Sequence, residues 1–180
     1  MYFATTNKNK LTEAKQILGI NVKGIKLELD EIQTLDPEEC VRKKAITAYY
    51  AFGKPILVED TSLFFEAWNG LPGVFIDYFL KSVEIIGLLK MLTNAKNRKA
   101  NAITYLGIFN GQKCKLFKGE VEGKIAQKPK GKNGFGWDSI FIPKGHSKTF
   151  AEMNPGEKNM ISMRKQALSK FKKEINRVLR

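Results

Sequence analysis

Apolar and polar positions along the chain follow two spacings, and these predict alternating strands and helices. Residues 2–4 are a short apolar run typical of a strand, and the small polar residues 5–7 that follow suit a helix cap. Apolar residues then recur at helical spacing as far as Leu18, and Gly19 stops that helix. The alternation of apolar residues over 25–29 predicts the next strand.

The same order of elements continues in the middle of the chain. Residues 36–39 read Asp-Pro-Glu-Glu, which opens a second helix, because proline suits an early helical position and acids suit the positive end of the helix dipole. That helix is expected to end near Gly53. Residues 56–58 then predict a buried strand that ends on Glu59 and Asp60.

A turn, a helix and a hairpin follow. Residues 71–73 predict the turn, and residues 76–92 are rich in apolar residues and helix formers. Residues 102–109 and 114–125 predict two strands, which the favoured turn sequence Asn110-Gly111 joins into a hairpin.

Residues 140–142 predict one more strand, and apolar residues that share one face, from Ala167 to Leu179, predict a last helix. Strands that alternate with helices and then form a hairpin favour an α/β fold, in which helices cover a mixed sheet. Since no composition break or linker interrupts the chain, we expect residues 1–180 to form a single domain.

Charge narrows the choice of partner. Lys and Arg number 31 against 18 Asp and Glu, a net charge of +13, which suits an anionic partner such as a nucleotide or a nucleic acid. We find no apolar run long enough to cross a bilayer and no signal peptide, and the 2 cysteines are far apart. These features favour a cytoplasmic protein with free thiols and no membrane partner.

The polar turn Thr-Thr-Asn-Lys-Asn-Lys at residues 5–10 is a candidate anion site. A turn between a strand and a helix brings backbone N–H groups and the positive end of the helix dipole together, and Lys10 on the first helical turn can reach a bound anion. The alternative is a plain capped helix.

The segment Glu59-Asp60-Thr61 could hold a cation. Adjacent strand residues point to opposite faces, so at most one of the two carboxylates faces a given cleft. With a single histidine and no cysteine cluster, a metal would be held by oxygen, which favours Mg²⁺ or Mn²⁺, and Glu31 could be a second ligand. A solvated acidic strand end remains the alternative.

The loop at residues 134–138, Gly-Phe-Gly-Trp-Asp, places two aromatic residues between glycines. It is either a structural turn that tucks its rings into the core or a platform on which a base stacks. Lys158 and Arg164 flank the start of the last helix, either as substrate contacts or as solvated surface charge.

Taken in order, these segments resemble the inosine/xanthosine triphosphate pyrophosphatase family along nearly the whole chain. The matching motifs are Thr5-Thr6-Asn7-Lys8-Asn9-Lys10, Val58-Glu59-Asp60-Thr61-Ser62-Leu63, Asn69-Gly70-Leu71-Pro72-Gly73, Phe135-Gly136-Trp137-Asp138, Thr149-Phe150-Ala151-Glu152 and the run from Glu157 to Arg164. The resemblance implies an elongated mixed sheet with two lobes around a central nucleotide-binding cleft, in a homodimer.

The resemblance also implies an activity, the Mg²⁺-dependent hydrolysis of ITP, dITP and XTP to the monophosphate and pyrophosphate, which removes deaminated purines from the nucleotide pool. Glu31 and Asp60 would hold Mg²⁺, for which Mn²⁺ could substitute, and Asp60 would also accept the proton of the attacking water. Thr61 would lie beside the metal. The triphosphate would be bound by Thr5, Thr6, Asn7, Lys8, Asn9, Lys10 and Lys44.

The purine would be held by another set of residues. Phe135 would stack on the base, and Lys158 and Arg164 would contact the base and the phosphates. The resemblance places Gly136, Trp137, Asp138 and Met163 in the same binding site.

The chain departs from the family pattern at three positions. Thr6 and Ser62 stand where the family has glycine, so a left-handed backbone at Thr6 would be strained. Met163 stands where the family has a histidine that belongs to base recognition. A related pyrophosphatase with a broader or different substrate range is therefore one alternative, and a basic nucleic-acid-binding protein is another, although we expect no stable nucleic-acid complex.

Overall fold

The computed structural model describes residues 1–30 and 32–178. In this part of the chain the strands are β1 (Tyr2–Ala4), β2 (Lys23–Ile25), β3 (Val58–Phe65), β4 (Pro72–Gly73), β5 (Lys99–Phe109), β6 (Cys114–Ile125) and β7 (Phe141–Pro143). The α-helices are α1 (Lys8–Leu18), α2 (Pro37–Phe52), α3 (Ile76–Met91), α4 (Pro155–Ile161) and α5 (Met163–Val178). Short 3₁₀ helices cover Glu66–Trp68 and Phe150–Glu152.

Local capping explains why the first two helices begin and end where the sequence predicts. The Asn7 side chain accepts hydrogen bonds from two backbone N–H groups of α1, and the Asp36 side chain accepts one at the start of α2. Gly19 and Gly53 end these helices in the left-handed conformation, with φ angles of 67° and 78°.

The strands form two sheets. β1 and β2 pair in parallel, and a five-stranded open sheet has the order β4-β3-β5-β6-β7. The fold is therefore the mixed α/β architecture that the sequence predicts. The chain divides into two compact units, the first made of residues 1–61, 104–119 and 163–180 and the second of residues 62–103 and 120–162.

The first unit has three layers because successive strand residues point to opposite faces. Leu57 packs with buried residues of α1 and α5, whereas its neighbours Ile56 and Val58 pack with buried residues of α2. The same alternation holds in β5, where Leu106 faces α1 and α5 while Tyr105 packs on the α2 side.

The second unit carries α3, α4 and the Gly-Phe-Gly-Trp-Asp loop. Trp137 is buried and packs edge-on against Phe141, at 5.4 Å between ring centroids. Helix α3 is kinked at Glu84, whose φ of 56° is not helical.

Three sequence predictions about the strands are wrong. The strand predicted over residues 56–60 does not end at the two acids, since β3 begins at Val58 and continues to Phe65. The strand predicted over residues 25–29 stops at Ile25. The turn predicted at residues 71–73 instead contains β4, which pairs antiparallel with β3.

Candidate active site

The polar turn at residues 5–10 is organised by its own side chains. Thr5 Oγ1 accepts from the Asn7 N–H at 3.1 Å, and Asn7 Oδ1 accepts from the N–H groups of Asn9 at 3.0 Å and Lys10 at 3.2 Å. Thr6, Lys8 and Asn9 are exposed. Among the described non-glycine residues positive φ angles occur at Asn69 and Glu84, so Thr6 carries no left-handed strain.

A buried ion pair lies beside this turn in the first unit. Arg164 donates from Nε to Glu59 Oε2 and from Nη2 to Glu59 Oε1, each at 2.8 Å. The two residues are only 1% and 3% exposed. This bidentate geometry is the strongest arrangement available to a guanidinium and a carboxylate.

Two further charges complete the cluster. Lys10 Nζ lies 3.2 Å from Glu59 Oε1, and Arg164 Nη1 donates to Glu13 Oε2 at 2.6 Å. Burial alone raises the pKa of the Glu59 carboxyl, but the attraction of Arg164 and Lys10 outweighs burial and lowers this pKa to about 2. Burial likewise lowers the pKa of Arg164, but Glu59 and Glu13 more than reverse this and raise it. Both partners are therefore ionised at neutral pH.

Hydroxyl groups extend the cluster along the sheet. Thr61 Oγ1 donates to Glu59 Oε1 at 3.3 Å and lies 2.9 Å from the hydroxyl of Thr104. Thr61 and Glu59 thus lie on the same face of β3, the face on which α1 and α5 pack.

Asp60 lies on the opposite face of β3 from Glu59, because side chains alternate along a strand. That face is covered by α2, which carries the half-buried Lys44 one residue before the buried Ala45. Asp60 is itself half-buried. β3 therefore separates Asp60, the predicted proton acceptor, from the Glu59 cluster on the other face of the same strand.

A second buried ion pair lies in the second unit. Lys158 Nζ donates to Asp138 Oδ2 at 2.7 Å, and the same oxygen accepts from the Phe135 N–H at 2.8 Å. The Lys158 ammonium also lies over the Phe135 ring, 4.8 Å from its centroid. Gly134 has a φ of 73°, and a Cβ there would lie 2.2 Å from Asp138 Oδ2, so a side chain at this position would displace the Asp138 carboxylate.

The remaining predicted base contacts are placed as follows. Phe135 is half-buried and Gly136 is exposed, whereas the Trp137 ring belongs to the core of the second unit. Met163 is 2% exposed and begins α5, where its carbonyl oxygen packs against Gly119.

The predicted metal ligands can be placed only in part. Glu31 lies outside the described residues, and Asp60 offers oxygen ligands of the kind that Mg²⁺ prefers. Within residues 1–30 and 32–178, no three His, Cys, Asp or Glu side chains are grouped to hold a metal ion.

The structure brings Lys10, Thr61 and Arg164 together around Glu59, and Phe135, Asp138 and Lys158 together in the second unit. Sequence reasoning missed Glu13 and did not include Glu59 among the site residues. The spacing of three residues between Lys10 and Glu13 could have indicated that both lie on one face of α1.

A protein family and several known proteins match this chain over nearly its whole length. The profile of the Ham1 family matches residues 1–174. The dITP/XTP pyrophosphatase of Methanopyrus kandleri is 43% identical over 173 residues, which cover 94% of this chain and 92% of that protein. The inosine triphosphate pyrophosphatase of Yarrowia lipolytica is 43% identical over 175 residues, with 94% and 92% covered.

The fold also matches a solved structure. A HAM1 protein from Coxiella burnetii superimposes with a TM-score of 0.86 at 30% identity, and the match covers 98% of each chain. The sequence and structure comparisons therefore agree over almost the full length.

Proposed function

The chain belongs to the Ham1 family, and from this premise we propose that it hydrolyses ITP, dITP and XTP to the monophosphate and pyrophosphate. The observation that carries the proposal is the 43% identity, over 94% of the chain, to a protein named dITP/XTP pyrophosphatase. In a cell this activity would remove deaminated purines from the nucleotide pool.

The triphosphate would be bound by residues 5–10 and Lys44. The exposed side chains of Thr6, Lys8 and Asn9 support this role, because they leave the turn open to a ligand. Cationic side chains stabilise the charge that gathers on a pyrophosphate leaving group.

Asp60 would accept the proton of the attacking water. Its neighbour Glu59 is paired with Arg164 and Lys10 on one face of β3, and Asp60 lies on the other face, on which α2 carries Lys44. A half-buried position supports the role, since a general base must reach both water and substrate.

Nucleoside triphosphate pyrophosphatases generally need a divalent metal. Here Asp60 and Glu31 would hold Mg²⁺, with Mn²⁺ as a substitute, because carboxylate oxygens are the ligands that both ions prefer. When bound, the ion neutralises phosphate oxygens and fixes their geometry.

The purine would stack on Phe135, with Lys158 and Asp138 at its edge. A 6-keto group accepts hydrogen bonds that the amino group of adenine cannot accept, so donors at this edge would discriminate between the two. Gly136 and Trp137 would shape the same pocket. Met163, in place of the family histidine, is the feature that would favour a broader or different substrate range.

We expect a homodimer, and α3 supports this. It exposes Tyr78, Val83, Ile86 and Met91, each at least 37% exposed, which is typical of a surface that a partner covers.

Among the described residues no helix is long and apolar enough to cross a membrane. Cytoplasmic action is part of the proposal, and it is supported by Cys40 and Cys114 being thiols rather than a disulfide, as is usual in a reducing compartment.

The test is a comparison of kcat/KM for ITP, dITP, XTP, GTP and ATP at a fixed Mg²⁺ concentration. A clear preference for the three deaminated purines supports the proposal. Equal rates on all five nucleotides would support a broad-range pyrophosphatase instead. Failure to turn over any nucleotide, together with tight and salt-sensitive RNA binding, would support a nucleic-acid-binding protein.

A further inference from the structure

A buried carboxylate on β3 joins cations from two distant parts of the chain. Glu59 accepts two hydrogen bonds from Arg164, each at 2.8 Å, and its Oε1 lies 3.2 Å from Lys10 Nζ. Lys10 lies in the first turn of α1 and Arg164 in the first turn of α5. One carboxylate therefore fixes the starts of two helices against one strand.

Stability alone is a weak reason for this arrangement. The neighbours of Glu59 along the chain, Leu57 and Val58, are fully buried apolar residues. In such surroundings an apolar side chain generally stabilises a fold as well as a buried ion pair does, because the pair must first be desolvated. A buried carboxylate with two cationic partners is thus better explained by what it does to those cations.

Exposure separates the two cations. The side chains of Arg164 and Glu59 are 2% and 1% exposed, whereas that of Lys10 is 21% exposed. Arg164 therefore anchors the carboxylate from the inside, and Lys10 extends from it towards solvent.

A lysine ammonium has three donors, so an ion pair with one carboxylate oxygen leaves donors that a phosphate oxygen can use. A free lysine side chain loses rotamer entropy when a ligand orders it. Holding Lys10 in one orientation beforehand reduces that cost and places its charge accurately.

We propose that Glu59 is a positioning residue for the hydrolysis, which holds the Lys10 ammonium where the triphosphate binds, with Arg164 as its anchor. This inference rests on the proposed function, because the ligand of Lys10 in that proposal is a nucleoside triphosphate. The alternative role of the Glu59 charge is electrostatic repulsion of the triphosphate. Positioning and repulsion change the affinity for substrate in opposite directions. Loss of the carboxylate charge weakens substrate binding if Glu59 positions Lys10 and strengthens it if Glu59 repels the substrate.

The test is a double-mutant cycle on kcat/KM for dITP with Mg²⁺, using the wild type, Lys10→Met, Glu59→Gln and the double variant. We expect each single substitution to lower kcat/KM by about 100-fold, mainly through KM. We expect the double variant to lie within about threefold of Lys10→Met, because Glu59 acts through Lys10. Multiplicative effects would overturn the proposal, as would a lower KM in Glu59→Gln.

Glu59→Gln leaves a guanidinium buried beside a neutral partner, so the variant could fail to fold. In that event Glu59→Asp takes its place in the cycle, because this carboxylate keeps a negative charge beside Arg164 but is one methylene too short to keep the contact with Lys10 Nζ. We expect Glu59→Asp to lower kcat/KM in the wild type but not in Lys10→Met, and equal losses in both would overturn the proposal.

A matched control is Glu122→Gln, which makes the same chemical change in an exposed carboxylate that pairs with Lys144 on the surface. Its kcat/KM should equal that of the wild type. The wild type also separates this inference from the proposed function. A wild type that does not hydrolyse dITP refutes the function, whereas an active wild type with multiplicative effects refutes only the positioning role.

Discussion

Arg164 and Glu59 are 105 residues apart in sequence and form a bidentate ion pair, both hydrogen bonds being 2.8 Å long. Both side chains are almost completely buried, and Arg164 also donates to Glu13 of α1. The pair therefore ties the first turn of α5 to β3 and to α1. Because Lys10 shares the Glu59 carboxylate, the stability of the first unit and the proposed binding of triphosphate depend on the same group.

Removal of one partner of this pair should destabilise the protein strongly. Arg164→Met leaves Glu59 as a buried carboxylate without its guanidinium, and we expect a loss of about 3–5 kcal/mol in the free energy of unfolding. Urea denaturation at pH 7 measures it. Lys144→Met, which removes the cation of an exposed pair, should leave the denaturation midpoint unchanged. Equal midpoints for both variants would contradict the structural role of Arg164.

The stability contributed by the Glu59 carboxylate should depend on pH. Its pKa is lowered from 4.5 to about 2 in the folded protein, so protonation favours the unfolded chain. The contribution is complete above pH 4.5 and is lost as the pH falls towards 2. We therefore expect a difference in the free energy of unfolding between the wild type and Glu59→Gln, measured without metal ions. This difference should rise as the pH increases from about 2 to 4.5 and level off above pH 4.5. A difference that does not change with pH would contradict the ionised, paired carboxylate.

Asp60→Asn tests the proposed general base. An amide cannot accept the proton of water, so kcat for dITP should fall by about 10²–10⁴-fold. The Kd for dITP, measured by calorimetry, should stay within about tenfold of the wild type, since the variant keeps the shape of the side chain. Asp77→Asn, in an exposed carboxylate that pairs with Lys81, should change neither value. A kcat for Asp60→Asn equal to that of the wild type would show that Asp60 is not the general base.

Gly119→Ala should displace the start of α5. A Cβ at this position would lie 1.8 Å from the Met163 carbonyl oxygen and 2.8 Å from the Ala167 nitrogen, both backbone atoms. We expect a loss of at least about 1–3 kcal/mol from overpacking, together with a lower kcat/KM because Arg164 moves with the helix.

Gly53→Ala is the matched control for that substitution. Gly53 has a φ of 78° with open space around it, so alanine there costs about 1–2 kcal/mol in backbone strain without a clash. Its kcat/KM should remain at the wild-type value. Loss of activity in both variants would mean that instability alone accounts for the effect.

The features that sequence alone predicts well are those that depend on neighbouring residues. The caps at Asn7 and Asp36 and the hairpin turn at Asn110 each depend on hydrogen bonds over two or three residues, and all three are confirmed. The mixed α/β class follows from the order of these local elements.

The Glu59 cluster could not be predicted in this way. Its members Lys10, Glu59 and Arg164 lie on three separate elements, and only the packing of α1 and α5 on the same face of β3 brings them together. The end of β3 was predicted wrongly for a related reason. Two adjacent acids usually mark a strand end, but here Arg164 and Lys10 neutralise Glu59, so the strand can continue through it.

The proposed cleavage between the α- and β-phosphates is tested most directly by ³¹P NMR of dITP during hydrolysis by the wild type with Mg²⁺. We predict that the dITP signals are replaced by those of dIMP and pyrophosphate in equal amounts. The appearance of dIDP and orthophosphate instead would contradict the proposed function.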